Sequence, residues 1–222
     1  MRWLLDTLRD AMSPILSDRT IMKYNAKGHL IEQEIQPQQL QPNSVDLTLG
    51  NSWKTILPNA KVYHRHVIDP RTPIKFDEGH FEHGRLRDAA GPQYADIPPV
   101  YEERERFILY PYRFVLMASN EILNIPNGIV GIVCGRSSIA RLGIQTEQAG
   151  FIDAGFRGTI TFEVHNQGVY PIILYPGMRV AQVYFLKAQK ALKAYGAAKG
   201  SKYNEQILAT ASRIHLDNEF NT

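Results

Sequence analysis

The sequence predicts a mainly β protein, built as a distorted β-barrel or jelly roll with a few short helices. Short segments rich in β-branched and aromatic residues recur along the chain, and turns such as 126–128 and 176–177, rich in Gly and Pro, separate them. Regular short strands of this kind are typical of closed or sandwiched β folds. The strands that we predict are 43–50, 106–109, 114–118, 128–134, 158–165, 171–174 and 179–186.

The N-terminal part predicts two short helices. Apolar residues within 1–17 recur at helical spacing, and Pro14 ends the first helix. Ser17 or Asp18 then caps a second helix, and Gly28 marks its exit.

The other segments define the predicted domain organisation. We expect residues 1–15 to be an extension, 16–190 to be a β domain, and 191–222 to be a C-terminal arm. Residues 70–106 are charged and poor in apolar runs, so we expect a long surface arm or loop there.

The composition narrows the class of protein. Of the 222 residues, 44 % are hydrophobic and 21 % are charged, which is typical of a globular domain. No apolar run approaches the roughly 18–20 residues of a membrane span, and no secretory leader is recognisable, so we expect a soluble, cytoplasmic protein with no membrane partner. The net charge of +3 is too weak to indicate nucleic acid, and it suits a polyanionic small ligand equally well.

The residues that commonly bind zinc do not form a recognisable zinc motif. Cys134 is the single cysteine, so neither a disulfide nor a Cys-rich zinc site is expected. His64, His66, His80 and His83 lie in the charged middle region without Cys partners or a helical His-Glu-x-x-His pattern. The pattern favours surface histidines over a metal cluster.

A first motif, residues 135–143, follows a predicted strand and opens a helical turn. Ser137 and Ser138 supply two hydroxyls, and Arg136 and Arg141 flank them. Hydroxyls, free amides and guanidinium groups at such a place suit phosphate binding. An ordinary capped turn with surface arginines explains the pattern equally well.

A second motif, residues 149–158, brackets Asp153 and aromatic residues with glycines. Such a hairpin can hold a ring or a sugar close to backbone groups. A plain β-hairpin with an Asp-initiated turn is the simpler interpretation.

A third motif is the strand 161–165, in which Glu163 shares a face with polar neighbours while Phe162 and Val164 face the other way. Glu163 is therefore either solvated or functional. A fourth, residues 200–206, combines a flexible Gly-Ser start with Lys202 and Tyr203, and it suits either a segment that closes over a ligand or an unstructured tail.

Together these segments resemble the dCTP deaminase family, which shares its fold with dUTPases. Residues 135–143 resemble the most characteristic motif of the family, 152–156 its nucleoside-binding hairpin, and 161–163 the segment that carries its catalytic glutamate. The likeness runs from about residue 16 to residue 216 and includes 17–19 and 44–50.

The resemblance implies a zinc-independent hydrolase that acts on a C–N bond of a deoxycytidine nucleotide. The most direct reaction is conversion of dCTP to dUTP and ammonia, which supplies precursors of dUMP and dTTP. The zinc deaminase signature, His-x-Glu followed by Pro-Cys-x-x-Cys, is absent. The resemblance also implies a homotrimer with shared active sites, a C-terminal arm that closes over the nucleotide, and a Mg²⁺ ion bound through the phosphates.

The resemblance assigns roles to individual residues. Glu163 would transfer protons, and Ser137 and Arg141 would position Glu163 and the attacking water. Asp153 would contact the deoxyribose 3′-hydroxyl, and Phe156 would pack near the sugar and exclude a 2′-hydroxyl. The residues expected to bind phosphates are Arg136, Ser138, Gln182, Tyr195, Lys202 and Gln206.

One segment departs from the family pattern. Glu147 and Gln148 stand where the family carries a His-x-Thr-Ala segment, and one residue is missing. An acid near a triphosphate is repulsive unless a metal or a proton intervenes, so a dCMP substrate is an alternative.

Three more functions are compatible with the motifs. Residues 149–156 look more like the bifunctional enzymes, which convert dCTP to dUMP and diphosphate. A plain dUTPase would share the fold, but dUTPases lack a glutamate at the position of Glu163. A nucleotide-binding regulatory protein is the non-enzymatic alternative.

Overall fold

Antiparallel strands make up most of the regular secondary structure of the protein, a computed structural model that describes residues 13–56, 71, 76–80, 106–197 and 200–220. The helices are α1 (Asp18–Asn25) and α2 (Ser137–Ala140), with 3-10 turns at Ile214–Leu216 and Asn218–Phe220. The strands are β1 (Leu30–Ile31), β2 (Val45–Ile56), β3 (Phe76–His80), β4 (Phe107–Leu109), β5 (Phe114–Asn124), β6 (Ile129–Gly135), β7 (Ile144–Gln145), β8 (Phe151–Ile152), β9 (Arg157–Asn166), β10 (Ile172–Leu174) and β11 (Arg179–Lys187).

The main sheet runs in the order β7-β9-β5-β2-β11-β6-β8, with β1 added to β5 and β3 added to β2. Strands β4 and β10 form a separate pair. All these pairings are antiparallel, and the register shifts in β2, β5 and β11. Such bulges bend strands, which suits the predicted distorted barrel. The prediction of a mainly β fold is confirmed.

The long strand β2 passes very close to β5 at one residue. A Cβ atom at Gly50 would lie 3.0 Å from the carbonyl oxygen of Ala118. Glycine is therefore needed there for the two strands to keep their pairing through the register shift.

The core is packed from alternating strand residues and from the inner face of α1. In β9, Phe162 and Val164 are buried while Glu163 and His165 lie half-exposed on the other face, as the sequence predicts. Ile21 of α1 is fully buried against this core. The sheet can therefore carry polar side chains on one face without exposing its apolar residues to water.

The segment predicted as a surface arm contains a strand. Residues 76–80 form β3, which pairs with β2 between Ser52 and Ile56. The sequence analysis does not predict this strand, because backbone pairing with the long β2 needs little apolar side-chain pattern. Apart from 71 and 106, the rest of the predicted arm lies outside the described residues. So do His64, His66 and His83, and all but the last residues of the first predicted helix.

The C-terminal arm packs along β9. The Thr159 amide donates to the Gln206 carbonyl at 2.8 Å, and the Gln206 side-chain amide donates to the Thr159 carbonyl at 2.7 Å. Further on, the Thr210 amide donates to the Thr161 hydroxyl. These bonds lie where β9 shifts register against β5, so the arm satisfies backbone groups that the sheet leaves free.

In the described part of the chain, no helix has both the length and the apolar character needed to cross a membrane.

Candidate active site

A cavity of about 600 Å³ lies between β9, the segment around β8 and the C-terminal arm. Its walls mix aromatic and aliphatic side chains with two glutamates and an aspartate. Such a volume and lining are typical of a small-molecule site. The polar and aromatic residues of the wall include Glu147, Asp153, Phe156, Thr161, Glu163, Tyr195, Tyr203 and Gln206.

Glu163 projects into this cavity from the middle of β9. Its Oε2 atom accepts hydrogen bonds from the backbone amides of Gln148, at 2.7 Å, and Ala149, at 3.1 Å. The Glu163 amide in turn donates to the Thr146 carbonyl. The carboxylate is thus held in one orientation, and its other oxygen is free of these bonds.

A second carboxyl group, Glu147, lies on the same wall. Its Oε2 accepts a hydrogen bond from the Thr146 hydroxyl at 3.1 Å. Burial raises the pKa of Glu147, hydrogen bonds from Thr146 and from backbone amides including Gly135 lower it, and the negative charge of Glu163 raises it, so that it lies above its usual value. Burial and the charge of Glu147 together raise the pKa of the neighbouring Cys134 thiol.

The hairpin of Asp153 and Phe156 forms the floor of the cavity. A Cβ at Gly150 would lie only 2.2 Å from the Val133 carbonyl oxygen, so glycine lets this segment pack directly on β6. Gly155 has a positive φ of 95°, and a Cβ there would collide with Ala194 of the arm. Close packing therefore requires glycine at two positions of the second motif.

The arm closes the remaining side. The ring of Tyr195 lies 5.9 Å from that of Phe156, and Tyr203 and Gln206 complete the wall. The Gln206 side-chain nitrogen is engaged by Thr159, while its buried Oε1 atom has no hydrogen-bond partner.

Lys202 is engaged away from the cavity. Its ammonium group pairs with Asp217 at 2.6 Å, and hydrogen bonding to Asp217 raises its pKa. In this conformation Lys202 is not among the cavity residues.

The predicted residues of the 135–143 motif lie elsewhere. Ser137 and Ser138 of α2, and Arg141 directly after it, stand exposed outside the wall of the cavity. The structure thus unites Glu163, Asp153, Phe156, Tyr195 and Gln206, and it leaves the other predicted site residues apart.

A polar cluster forms beneath α2. Asp46, which is 2 % exposed, pairs with Arg136 at 3.1 Å and with Arg179 at 3.0 Å. Gln182 of β11 is the register partner of both Asp46 and Cys134. Burial raises the pKa of Asp46 more than the two arginines lower it.

Sequence reasoning assigned no role to Glu147 or Thr161, and it named Tyr203 only as part of a segment suited to closing over a ligand. Thr161 lies on the same face of β9 as Glu163, and the alternation of polar and apolar residues along this strand predicts that shared face. Glu147 was visible only as a departure from the family pattern, and its burial beside Glu163 depends on the fold of β7 and β8.

A family model described as dCTP deaminase-like matches residues 15–188 of the chain. The chain belongs to this family. Two relatives, both named dCTP deaminase, dUMP-forming, come from Methanobrevibacter smithii and Dictyoglomus thermophilum. The first is 38 % identical over 92 % of this chain and 97 % of its own length. The second is 41 % identical over 91 % of this chain and 96 % of its own length.

A solved structure of similar fold is the 2′-deoxycytidine 5′-triphosphate deaminase from Agrobacterium tumefaciens. It matches with a TM-score of 0.55 at 20 % identity, over 81 % of this chain. The chain spans half the length of that protein. At this identity the match bears on the fold alone.

Membership of the dCTP deaminase-like family confirms the resemblance read from the sequence motifs. It also confirms the prediction of a hydrolase that acts on C–N bonds. The family match does not test the individual site residues, which stay predictions.

Proposed function

We propose that the protein converts dCTP to dUMP, ammonia and diphosphate, with Glu163 as the proton-transfer residue. The observation that carries this proposal is the oriented Glu163 carboxylate in a largely apolar cavity, within a chain of the dCTP deaminase-like family.

The deamination step requires a base and an acid close to the pyrimidine ring. Water attacks C4, N3 gains a proton, and the amine leaves as ammonia after taking up a second proton. A positioned carboxylate can carry both protons in turn, and general acid–base catalysis of this kind contributes about 10²–10⁴-fold. The two backbone amides on Oε2 leave the other oxygen of Glu163 to face the ligand.

The hairpin suits a deoxyribose. Asp153 and Phe156 line the same cavity as Glu163, with Tyr195 packed on Phe156. We propose that Asp153 accepts a hydrogen bond from the 3′-hydroxyl, and that Phe156 leaves no room for a 2′-hydroxyl.

The product of the proposed reaction is dUMP, not the dUTP that the sequence resemblance suggests first. The relatives at 38 % and 41 % identity both carry the words dUMP-forming in their names. With two water molecules consumed, dCTP gives dUMP, ammonia and diphosphate. The second water attacks at the α-phosphorus and cleaves the bond to the β-phosphate.

A second copy of the chain would complete the site. Ser137 at the start of α2 and Arg141 directly after it are exposed and outside the cavity of their own chain, yet the resemblance assigns them to the catalytic machinery. A homotrimer in which α2 of one copy faces the cavity of the next reconciles the two statements. Arg136, Ser138 and Gln182 would then reach the phosphates from the neighbouring copy, and Tyr195, Lys202 and Gln206 from the arm.

A magnesium ion would be held through the nucleotide. Among the described residues no group of three or more His, Cys, Asp or Glu side chains is arranged for a metal. Mg²⁺ commonly keeps several waters and binds substrate phosphates, so it fits this site without a protein cage. It would neutralise part of the phosphate charge near Glu147.

The test is incubation of the purified protein with Mg²⁺ and, separately, dCTP, dCMP, dUTP and CTP, followed by anion-exchange chromatography. Release of dUMP from dCTP, with CTP untouched, is expected. Accumulation of dUTP as the final product would replace the proposal with plain deamination.

Two further outcomes would contradict it. Conversion of dCMP with dCTP ignored would mean that the segment around Glu147 selects a monophosphate. Binding without any product would favour the regulatory protein.

A further inference from the structure

Glu147 is the feature of the cavity that the proposed mechanism does not use. It stands in the segment where the sequence departs from the family pattern, and it is half-buried. Its carboxyl group and that of Glu163 lie on one cavity wall. The two residues that follow Glu147, Gln148 and Ala149, donate their backbone amides to the Glu163 carboxylate.

The two carboxyl groups have different hydrogen-bond surroundings. The Glu163 oxygen receives two backbone N–H groups, which are donors only and suit a negative charge. The Glu147 oxygen lies 3.1 Å from the Thr146 hydroxyl, which can donate to a carboxylate or accept from a protonated acid. Backbone donors, including the Gly135 amide, also favour a charged Glu147, but burial and the charge of Glu163 outweigh them.

We propose that Glu147 is a positioning residue that carries a proton beside Glu163, so that Glu163 alone holds the negative charge needed to accept a proton from water. The inference rests on the proposed function, because it concerns the same reaction. Two carboxyl groups in one cavity whose surroundings differ are a recurrent way to separate acid and base roles.

The raised pKa of Glu147 agrees with this assignment. The titratable groups that face it are Glu163 of β9 and Cys134 of β6, both of which disfavour its negative charge when they are ionised. His165 follows two residues along β9, and Asp153, Tyr195 and Tyr203 line the cavity beyond. Glu163 takes one proton from the attacking water and passes it to N3, then takes the second from the new C4 hydroxyl and passes it to the leaving amine, and Glu147 stays neutral throughout.

The proposal also explains how an acid can occupy this wall. A negative Glu147 would repel the phosphates and Glu163 alike, whereas a neutral one does neither.

The test compares Glu147→Gln, Glu147→Asp and wild type in kcat for dCTP against pH. Glutamine imitates the neutral acid, so Glu147→Gln is expected to retain most of kcat and to lose the alkaline fall caused by ionisation of Glu147. Glu147→Asp is expected to keep an alkaline fall at an altered pH. Glu34→Gln, which removes an exposed glutamate outside the cavity, is the matched control and should leave the profile unchanged.

An unchanged pH profile in Glu147→Gln would overturn the proposal. So would a loss of kcat in Glu147→Gln, at every pH, as large as that of Glu163→Gln, because Glu147 would then act as more than a neutral neighbour.

A second measurement does not depend on turnover. Carboxyl ¹³C NMR, with the Glu147 signal assigned by its loss in Glu147→Gln, should show Glu147 titrating above the usual range and moving toward that range in Glu163→Gln. Titration of Glu147 in the ordinary range would overturn the inference. Absence of dUMP in wild type would refute only the proposed function, since the NMR titration would still show whether the carboxyl pair exists.

Discussion

The cavity around Glu163 and the surface around α2 differ in how far one chain completes them. The cavity is walled on three sides by its own chain, and its main acid is already oriented by two amides. At α2, two serines and Arg141 stand exposed and do not line this cavity. In the proposed assembly, the first region receives the ligand and the second is presented to the cavity of a neighbouring copy.

The largest expected effect is on the cavity side. Glu163→Gln should reduce deamination of dCTP by about 10²–10⁴-fold, because the amide cannot accept and return protons. Calorimetric titration with dCTP should still show binding. Near-normal ammonia release by this variant would contradict the role of Glu163.

The next test asks whether the two regions serve one site. Arg141→Ala alone should also be nearly inactive, although Arg141 lies outside the cavity of its own chain. When it is unfolded and refolded in equal amounts with Glu163→Gln, intact sites should form between copies and restore about one quarter of wild-type activity, as random assembly in a heterologous ring requires. Each variant refolded alone is the control. No recovery in the mixture would mean that a single chain supplies both residues.

A smaller effect is expected on stability at the α2 side. Asp46→Asn should lower the free energy of unfolding by about 1 kcal/mol, well below the roughly 3–5 kcal/mol for a broken buried ion pair, because Arg136 and Arg179 are partly exposed and rehydrate, and because burial already disfavours the charge of Asp46. Urea unfolding of the unassembled chain measures this change. Thr48→Ser, a neighbouring change that keeps the hydroxyl, serves as the control.

The smallest effect is the pH dependence of stability at Glu147. Its folded pKa is raised, so its stabilising contribution is complete at acid pH and is lost as pH rises through that pKa. As pH rises, the melting temperature of Glu147→Gln should therefore increase relative to that of wild type, by at most about 2–4 °C. A gap that shrinks as pH rises would contradict the assigned direction.

Much of the fold could be predicted from the sequence, because alternation and turn residues are local signals. Strand 158–165 and the start of α1 directly after Ser17 are examples that the structure confirms, although the Ser17 side chain makes no capping hydrogen bond. Strand β3 was missed because its place depends on pairing with β2, which no local pattern reports.

The site was less accessible to sequence reasoning. Glu163 and the hairpin could be recognised from motifs, but whether Glu163 was solvated could not be read from alternation alone. The engagement of Lys202 by Asp217 depends on how the arm folds back, and the burial of Glu147 depends on contacts with β6. Such long-range contacts have no signature in neighbouring residues.

Strand β6 gives the proposed assembly a fixed scale. Val133 lines the cavity and Arg136 opens the α2 region only three residues later, a span of about 10 Å along an extended chain. In the proposed assembly, the start of the segment 133–136 lines the chain's own site and its end reaches the site of a neighbour. The close packing of Gly150 on Val133 holds the start of this segment in place. An insertion within this segment would change the spacing of successive active sites around the ring, even with every side chain of the chemistry retained.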